Sequence, residues 1–149
     1  MRYLAVFSLL LILAGCAGTG DRSPAREASS FYLTNIEGEI IATGKISLPS
    51  DFQKKESSAS YSLSLINKGG KLGKSEDALA SALGDNSDGT VLLECKDDGV
   101  YSLTLKNSSS SDNLIVSATL EGRKLSGDWS VAGPDSNPFG KFEAFVPED

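Results

Sequence analysis

Hydrophobic and polar residues alternate along most of the chain after residue 39, and a period of two is typical of half-buried β-strands. In the first such segment, every second residue from Ile40 to Leu48 is apolar or small. Six later segments repeat the pattern, and their apolar positions are Tyr61, Leu63 and Leu65; Val91, Leu93 and Cys95; Tyr101, Leu103 and Leu105; Leu114, Val116, Ala118 and Leu120; Leu125 and Trp129; and Phe142, Ala144 and Val146. The pattern therefore predicts about seven strands.

The segments between these strands carry turn residues. Glu121-Gly122 and Asp97-Asp98-Gly99 predict tight turns, because glycine readily adopts the backbone angles that such turns require. Residues 107–113 form a polar, serine-rich loop, and residues 132–138 a loop with glycine and proline. Strands joined by such short connections pair antiparallel with their neighbours.

One helix interrupts the strands. Ser75 is a plausible N-cap, Glu76 and Asp77 complement the helix dipole, and Gly84 ends the helix. An apolar stripe runs along it, formed by Ala78, Leu79, Ala82 and Leu83. A helix of about two turns is too short to be stable without packing on the sheet.

These elements predict a mostly all-β fold. We expect an antiparallel meander that is barrel-like or a strongly curved sheet, with the short helix over an open end. Closure into a barrel would leave no exposed strand edges. The predicted domain loosely resembles small lipocalin-type β-barrels, and its ending, Leu125-Ser126-Gly127-Asp128-Trp129 with Gly140-Lys141-Phe142, recurs in small exported β domains.

The first residues have a different character. Met1 and Arg2 are followed by an uncharged, mostly apolar run over residues 3–13. This run has the length of a signal-peptide core and is shorter than the roughly 20 residues that a membrane-spanning helix needs. It ends in Leu13-Ala14-Gly15-Cys16, which resembles the lipobox of bacterial lipoproteins.

The resemblance to lipoproteins implies a lipid anchor. Cys16 would receive a diacylglyceryl group, and the signal would be removed before it. Ala17, rather than Asp, follows the cysteine, which in this family points to the outer membrane facing the periplasm. The implied organisation is a signal peptide over 1–15, a lipidated flexible tether over 16–30 and a β domain over 31–149. The alternative is an ordinary secretory signal that contains a cysteine by chance.

Charge and composition exclude several classes of protein. The chain has 149 residues, 14 Lys and Arg, 20 Asp and Glu, and a net charge of −6. That balance argues against a nucleic-acid partner, because phosphate binding needs a cationic face. The sequence contains no histidine, which excludes a Ser-His-Asp triad and histidine metal ligands. We predict no cofactor and no metal site.

A glycine- and lysine-rich segment lies before the helix. Gly69-Gly70-Lys71-Leu72-Gly73-Lys74-Ser75 resembles a phosphate loop, but the first glycine is one residue too late for that motif. A flexible connector is the simpler interpretation. An alternative is a cationic loop that binds an anionic glycan, lipid head group or protein through Lys68, Lys71 and Lys74.

Three other features have simple structural interpretations. Asp85 to Gly89 has the wrong spacing for a calcium loop and predicts a surface turn. Cys95 follows Val91 and Leu93 at a spacing of two, so we expect its thiol to face the core as they do, rather than to form an intermolecular disulfide. The acids near the following turn, Glu94, Asp97 and Asp98, are explained by that turn, although paired carboxylates can also hydrolyse glycosides.

Aromatic residues are concentrated near the end of the chain. Trp129, Phe139, Phe142 and Phe145 fit a role in the core of the barrel. Phe139 and Phe145 have the opposite parity from Phe142, so an exposed patch that includes Trp129, Phe139 and Phe145 is a second interpretation. Such a patch would contact a partner.

The sequence thus favours a lipid-anchored envelope protein with a binding role. The first hypothesis is that its β domain binds a small ligand or envelope component in a barrel mouth flanked by the helix and the Lys68–Lys74 loop. The second is a structural or assembly accessory that docks on another envelope protein, and a hydrolase is the third. A hollow barrel would favour the first, and a filled core with an exposed apolar patch would favour the second.

Overall fold

A computed structural model of the chain describes residues 28–48, 52, 56–66, 73–107, 112–133 and 137–146. These residues form eight strands and one helix. In chain order they are β1 (Ser29–Thr34), β2 (Ile40–Ser47), β3 (Glu56–Leu65), α1 (Lys74–Leu83), β4 (Asn86–Asp97), β5 (Val100–Asn107), β6 (Asn113–Glu121), β7 (Lys124–Val131) and β8 (Gly140–Phe145).

The eight strands form a closed antiparallel barrel in which each strand pairs with its neighbours in sequence. The barrel closes between β1 and β8, where Phe31 lies opposite Ala144 and Leu33 opposite Phe142. The predicted all-β meander with one short helix is confirmed. The structure adds β1 to the strands expected from the sequence, and this strand removes the edge that β8 would otherwise expose.

The side chains alternate between the barrel interior and its outer wall, as the period of two predicts. One predicted position is wrong. Ile40 was expected on the buried face with Ala42, but it is 41% exposed, and Ile41 is buried instead. The cause is a register shift between Leu33 and Thr34, after which Thr34 pairs with Ile40 and Ile41 becomes an extra residue.

The helix covers one end of the barrel, which we call the helix end. Helix α1 contacts β6 and β7, and its buried residues include Leu79, Ala82 and Leu83. The side chain of Asn107 donates a hydrogen bond to the carbonyl oxygen of Leu83 at 2.9 Å. This bond satisfies one of the carbonyl groups that remain unpaired at a helix C-terminus.

The predicted N-cap of the helix is wrong. Gly73 is the N-cap and makes no side-chain capping bond. Ser75 lies inside the first turn, is buried, and donates its hydroxyl to the carbonyl oxygen of Phe139 at 2.8 Å. Ser75 therefore attaches the helix to the segment before β8, and Gly84 ends the helix as predicted.

The opposite end, where β1 begins, we call the N-terminal end. Phe52, from the β2–β3 connection, is 2% exposed, and its ring centroid lies 5.9 Å from that of Tyr101. The side chain of Phe52 therefore covers this end of the barrel.

The turns at the N-terminal end agree with the sequence. Those expected at Gly99 and Gly122 are present, and both glycines have positive φ angles. Beside the second turn, the backbone N–H of Val146 donates to the carbonyl oxygen of Arg123 at 2.8 Å.

Candidate functional site

The interior of the barrel is filled by side chains. Trp129, Phe142 and Leu103 are among the largest side chains that are almost completely buried. Eight strands enclose a space that side chains alone can fill. Since both ends are also covered, no ligand chamber opens into the barrel among the residues that the structure describes, and a binding site has to be sought on the outer wall.

Four inward-facing glycines contribute to this filling, because each lies opposite an aromatic residue. The cross-strand pairs are Phe31 with Gly44, Tyr61 with Gly89, Phe142 with Gly127, and Trp129 with Gly140. A Cβ atom at Gly44, Gly89 or Gly140 would lie within 3.1 Å of the ring opposite, so these three glycines leave room for a ring. A Cβ atom at Gly127 would instead meet the backbone of β6 at Ser117.

The outer wall carries a groove across β1, β2 and β3, bounded by the end of β8. Its volume is about 610 Å³, and it is open to solvent along the wall. Tyr32, Ile40 and Phe145 supply its apolar surface, and the other outward-facing side chains along it belong to Ser30, Thr43, Lys45, Ser62 and Ser64. We call this surface the outer groove.

A second hollow adjoins the outer groove on the side toward β4. It has a volume of about 620 Å³, and its outward-facing side chains include Ser47, Ser60, Asp88 and Thr90. Lys45 and Ser62 line both hollows. The two hollows meet at Lys45 and Ser62, and the second one also contains the carboxylate of Asp88.

Lys45 is the charged residue of the outer groove. Within the described part of the chain, its ammonium group makes no ion pair. The neighbouring carboxylate of Glu143, which lies opposite Tyr32, is already paired with Lys124 at 2.7 Å. Asp88 lies in the same outward row two strands away, because Lys45 pairs with Ser62 and Ser62 with Asp88, but Lys45 forms no ion pair with it.

The predicted cationic loop is only partly described. Lys68 and Lys71 lie outside the described residues, whereas Lys74 is the exposed first residue of α1 at the helix end. Lys74 thus lies on a different part of the barrel from the outer groove. Cys16, with the predicted signal and most of the tether, also lies outside the described residues.

The three aromatics considered as one exposed patch do not form a common surface. Trp129 has 0% exposure and belongs to the core. The ring of Phe139 is half-buried and stacks on Trp129, with ring centroids 5.5 Å apart. Phe145 is 52% exposed and lies at the other end of β8, where it borders the outer groove. Only Phe145 therefore contributes to an open surface.

The acids and the thiol near the β4–β5 turn are separate features. Glu94 forms an ion pair with Lys96, and Asp97 and Asp98 are exposed at the turn. The thiol of Cys95 packs against the core but is only half-buried, and it donates to the carbonyl oxygen of Asp97 at 3.1 Å. The register shift between Cys95 and Asp97 accounts for the incomplete burial, because the strand bends there.

The segment considered as a calcium loop is mostly strand. The predicted surface turn over Asp85 to Gly89 is wrong, because Asn86 to Gly89 begins β4 and pairs with Tyr61 to Ser64 of β3. In the described ranges, no group of three or more Cys, Asp or Glu side chains is placed to hold a metal ion. No helix in those ranges is long and apolar enough to cross a membrane.

Two tyrosines inside the barrel have perturbed acidities. Burial raises the pKa of Tyr61, and the negative charge of Asp88 adds to this effect, whereas a hydrogen bond from Ser87 opposes it. The hydroxyl of Ser87 donates to the Tyr61 oxygen at 3.5 Å. Burial likewise raises the pKa of Tyr101, and the nearby Cys95 and Asp98 raise it further by smaller amounts. Both phenols are therefore held in their neutral form.

Sequence reasoning did not identify the outer groove. Tyr32 lies in β1, which the sequence pattern does not predict, and Lys45 lies on the polar face of the strand predicted from Ile40 to Leu48. The alternating pattern does identify which side chains face outward, but it does not show which outward faces become neighbours. Comparison with protein-family models finds none that matches this sequence, and a search of curated proteins finds no significant match.

Proposed function

We propose that this protein is a lipid-anchored lipoprotein of the bacterial envelope whose barrel binds a small ligand or envelope component with its outer wall. The anchor is supported by Leu13-Ala14-Gly15-Cys16, which resembles a lipobox. The filled barrel interior goes against a ligand site inside the barrel mouth, so the observation that carries the binding role is the groove on the outer wall around Lys45. Ala17 supports attachment to the outer membrane, on its periplasmic side.

The anchor would orient the barrel. Residues 17–28 lie between Cys16 and β1, and a random coil of that length would span about 20 Å root-mean-square. Because β1 begins at the N-terminal end, this end would face the membrane and the helix end would face away from it. Lys74 would then meet soluble partners, and the outer groove would lie on the side of the barrel.

A binding module fits the chemistry of the chain better than an enzyme does. The sequence has no histidine, and Glu94, one of the acids considered for hydrolysis, is already paired with a lysine at an exposed turn. General acid–base catalysis needs a group with a suitable pKa beside a substrate site. The outer groove contains hydroxyl groups and one ammonium group, which can form hydrogen bonds and an ion pair with a ligand.

Replacement of Cys16 tests the anchor. Cys16→Ser is expected to abolish incorporation of radioactive palmitate and to leave Met1 in place, as measured by the mass of the intact chain. Cys95→Ser is the matched control and should be labelled like the wild type. Labelling that persists in Cys16→Ser, or a native chain with Met1 and no acyl mass, would contradict the lipoprotein proposal.

The second candidate is an assembly accessory that docks on another envelope protein. The filled core favours it, and so do three exposed isoleucines, because Ile36, Ile40 and Ile66 all lie at the helix end of β1–β3. Exposed apolar groups that lie together are typical of partner surfaces. A photoreactive residue at position 36 should then crosslink one discrete envelope protein in cells, and the same group at position 106 should not. Equal crosslinking from both positions would reject this candidate.

A further inference from the structure

The outer groove combines an aromatic surface with a row of free hydroxyls. Tyr32 lies opposite Glu143 on β8, so Phe145, two residues later, projects from the same outer face. Phe145 is largely open to solvent, and Tyr32 is half-buried. Beside them, the outward positions of β2 and β3 bring together Thr43 with Ser64 and Lys45 with Ser62.

This combination matches the chemistry of a sugar ring. One face of a pyranose is formed by C–H groups and packs against aromatic rings, while its edge carries hydroxyls that both donate and accept hydrogen bonds. Serine and threonine hydroxyls are complementary to that edge because they also donate and accept. A fatty acyl chain fits less well, because it would cover these hydroxyls without giving them partners, which costs free energy.

The charge of the groove selects among sugars. Lys45 lies where the outer groove meets the second hollow, and the carboxylate of Asp88 lines the second hollow only. It has no ion-pair partner among the residues described, although the whole chain carries a net charge of −6. A carboxylate on the ligand would supply the missing partner, and charge complementarity of this kind governs specificity more than affinity.

We propose that the outer groove binds an anionic saccharide, with Tyr32 and Phe145 packing against the sugar ring and Lys45 pairing with its carboxylate. This inference rests on the proposed binding role and names the class of ligand. Open, hydroxyl-lined grooves bind single sugars weakly, so the protein gains affinity when its lipid anchor holds it near a polymer with many repeats.

The test is titration calorimetry of the full chain in detergent with two disaccharides. N-acetylglucosaminyl-N-acetylmuramic acid carries a carboxylate, and N,N′-diacetylchitobiose is its uncharged analogue. The charged sugar is expected to bind about three- to fivefold more tightly, as for an exposed ion pair. Lys45→Gln should remove this difference, and Phe145→Leu should weaken the binding of both sugars.

Lys74→Gln is the matched control, because Lys74 is an exposed lysine at the helix end. It should bind both sugars as the wild type does. The inference would be overturned if Lys74→Gln lost the preference for the charged sugar or if Lys45→Gln kept it. It would also be overturned if the wild-type protein bound neither sugar. Binding of laurate that Phe145→Leu leaves intact, or dimerisation that buries the groove, would also overturn it.

The two proposals fail in different ways. If the native chain carries no acyl mass but still prefers the charged disaccharide, only the lipoprotein proposal is wrong. If Cys16 carries an acyl mass but the protein binds neither disaccharide, only the saccharide inference is wrong.

Discussion

Trp129 lies directly opposite Gly140 across the β7–β8 pair, and its indole N–H donates to the carbonyl oxygen of Thr34 at 2.8 Å. The indole thus crosses the space above the glycine and reaches the end of β1, the strand that closes the barrel. Because the ring is fully buried, this hydrogen bond satisfies a polar group that would otherwise be costly to bury. One side chain thereby links β7, β8 and β1.

Gly140→Ala is expected to destabilise the barrel. A Cβ atom at position 140 would overlap the carbonyl oxygen of Thr34 and lie 2.9 Å from Trp129 Nε1. Overpacking of this kind costs about 1–3 kcal/mol, and the free energy of unfolding in urea measures it. The chain has one tryptophan, so fluorescence of Trp129 reports both the unfolding and any displacement of the indole.

The control for that substitution is Gly133→Ala. Gly133 has ordinary backbone angles and no atom within 4 Å of an added Cβ, so its stability should match the wild type. If Gly140→Ala were as stable as Gly133→Ala, the close packing of Trp129 against Gly140 would be wrong.

Phe52→Ala should have a large effect even though Phe52 lies in a connection between strands. The side chain is almost fully buried at the N-terminal end and contacts the ring of Tyr101. Removal of a buried phenylalanine side chain costs about 3–5 kcal/mol. Phe145→Ala, which removes an exposed ring, should change the free energy of unfolding by less than about 0.5 kcal/mol. Similar urea midpoints for the two variants would show that Phe52 does not close the barrel.

Alkaline pH is expected to destabilise the fold through Tyr61. The pKa of Tyr61 is raised in the folded state by burial, whereas in the unfolded chain it is about 10. Above that pH the unfolded state binds fewer protons than the folded state, so stability falls as pH rises, and below it stability is unaffected by this group. Urea unfolding at pH 8 and at about pH 10.5 measures the loss.

Tyr61→Phe should reduce that alkaline loss, and the combined Tyr61→Phe and Tyr101→Phe variant should reduce it further, since the pKa of Tyr101 is also raised by burial. Identical pH dependence in the wild type and in the doubly substituted variant would contradict this explanation. Absorbance at 295 nm follows the ionisation directly and separates it from unfolding.

The sequence by itself determined the local elements. Alternation identified the inward residues of β5 to β8, such as Leu103 and Val116, because successive side chains of a strand point to opposite faces. Glycines identified the turns at Gly99 and Gly122, since these positions need positive φ angles. The end of the helix at Gly84 followed from the same preference.

Only the tertiary structure decided how these elements meet. Strand β1 has a short apolar pattern, and its pairing with β8 joins residues more than 100 positions apart, as Phe31 and Ala144 show. Serine is a common N-cap residue, but the hydroxyl of Ser75 donates a hydrogen bond to the carbonyl oxygen of Phe139, which lies 64 residues away. The shift that exposes Ile40 arises where β2 pairs with β1.

The outer groove depends on the same long-range contacts. Tyr32, Lys45 and Phe145 come from three strands, and barrel closure makes them neighbours. Local propensity and period depend on residues a few positions apart, whereas closure depends on the register of every pair around the barrel. For this reason the strands follow from the amino-acid pattern, while the filled interior and the concave wall around Lys45 follow from the fold.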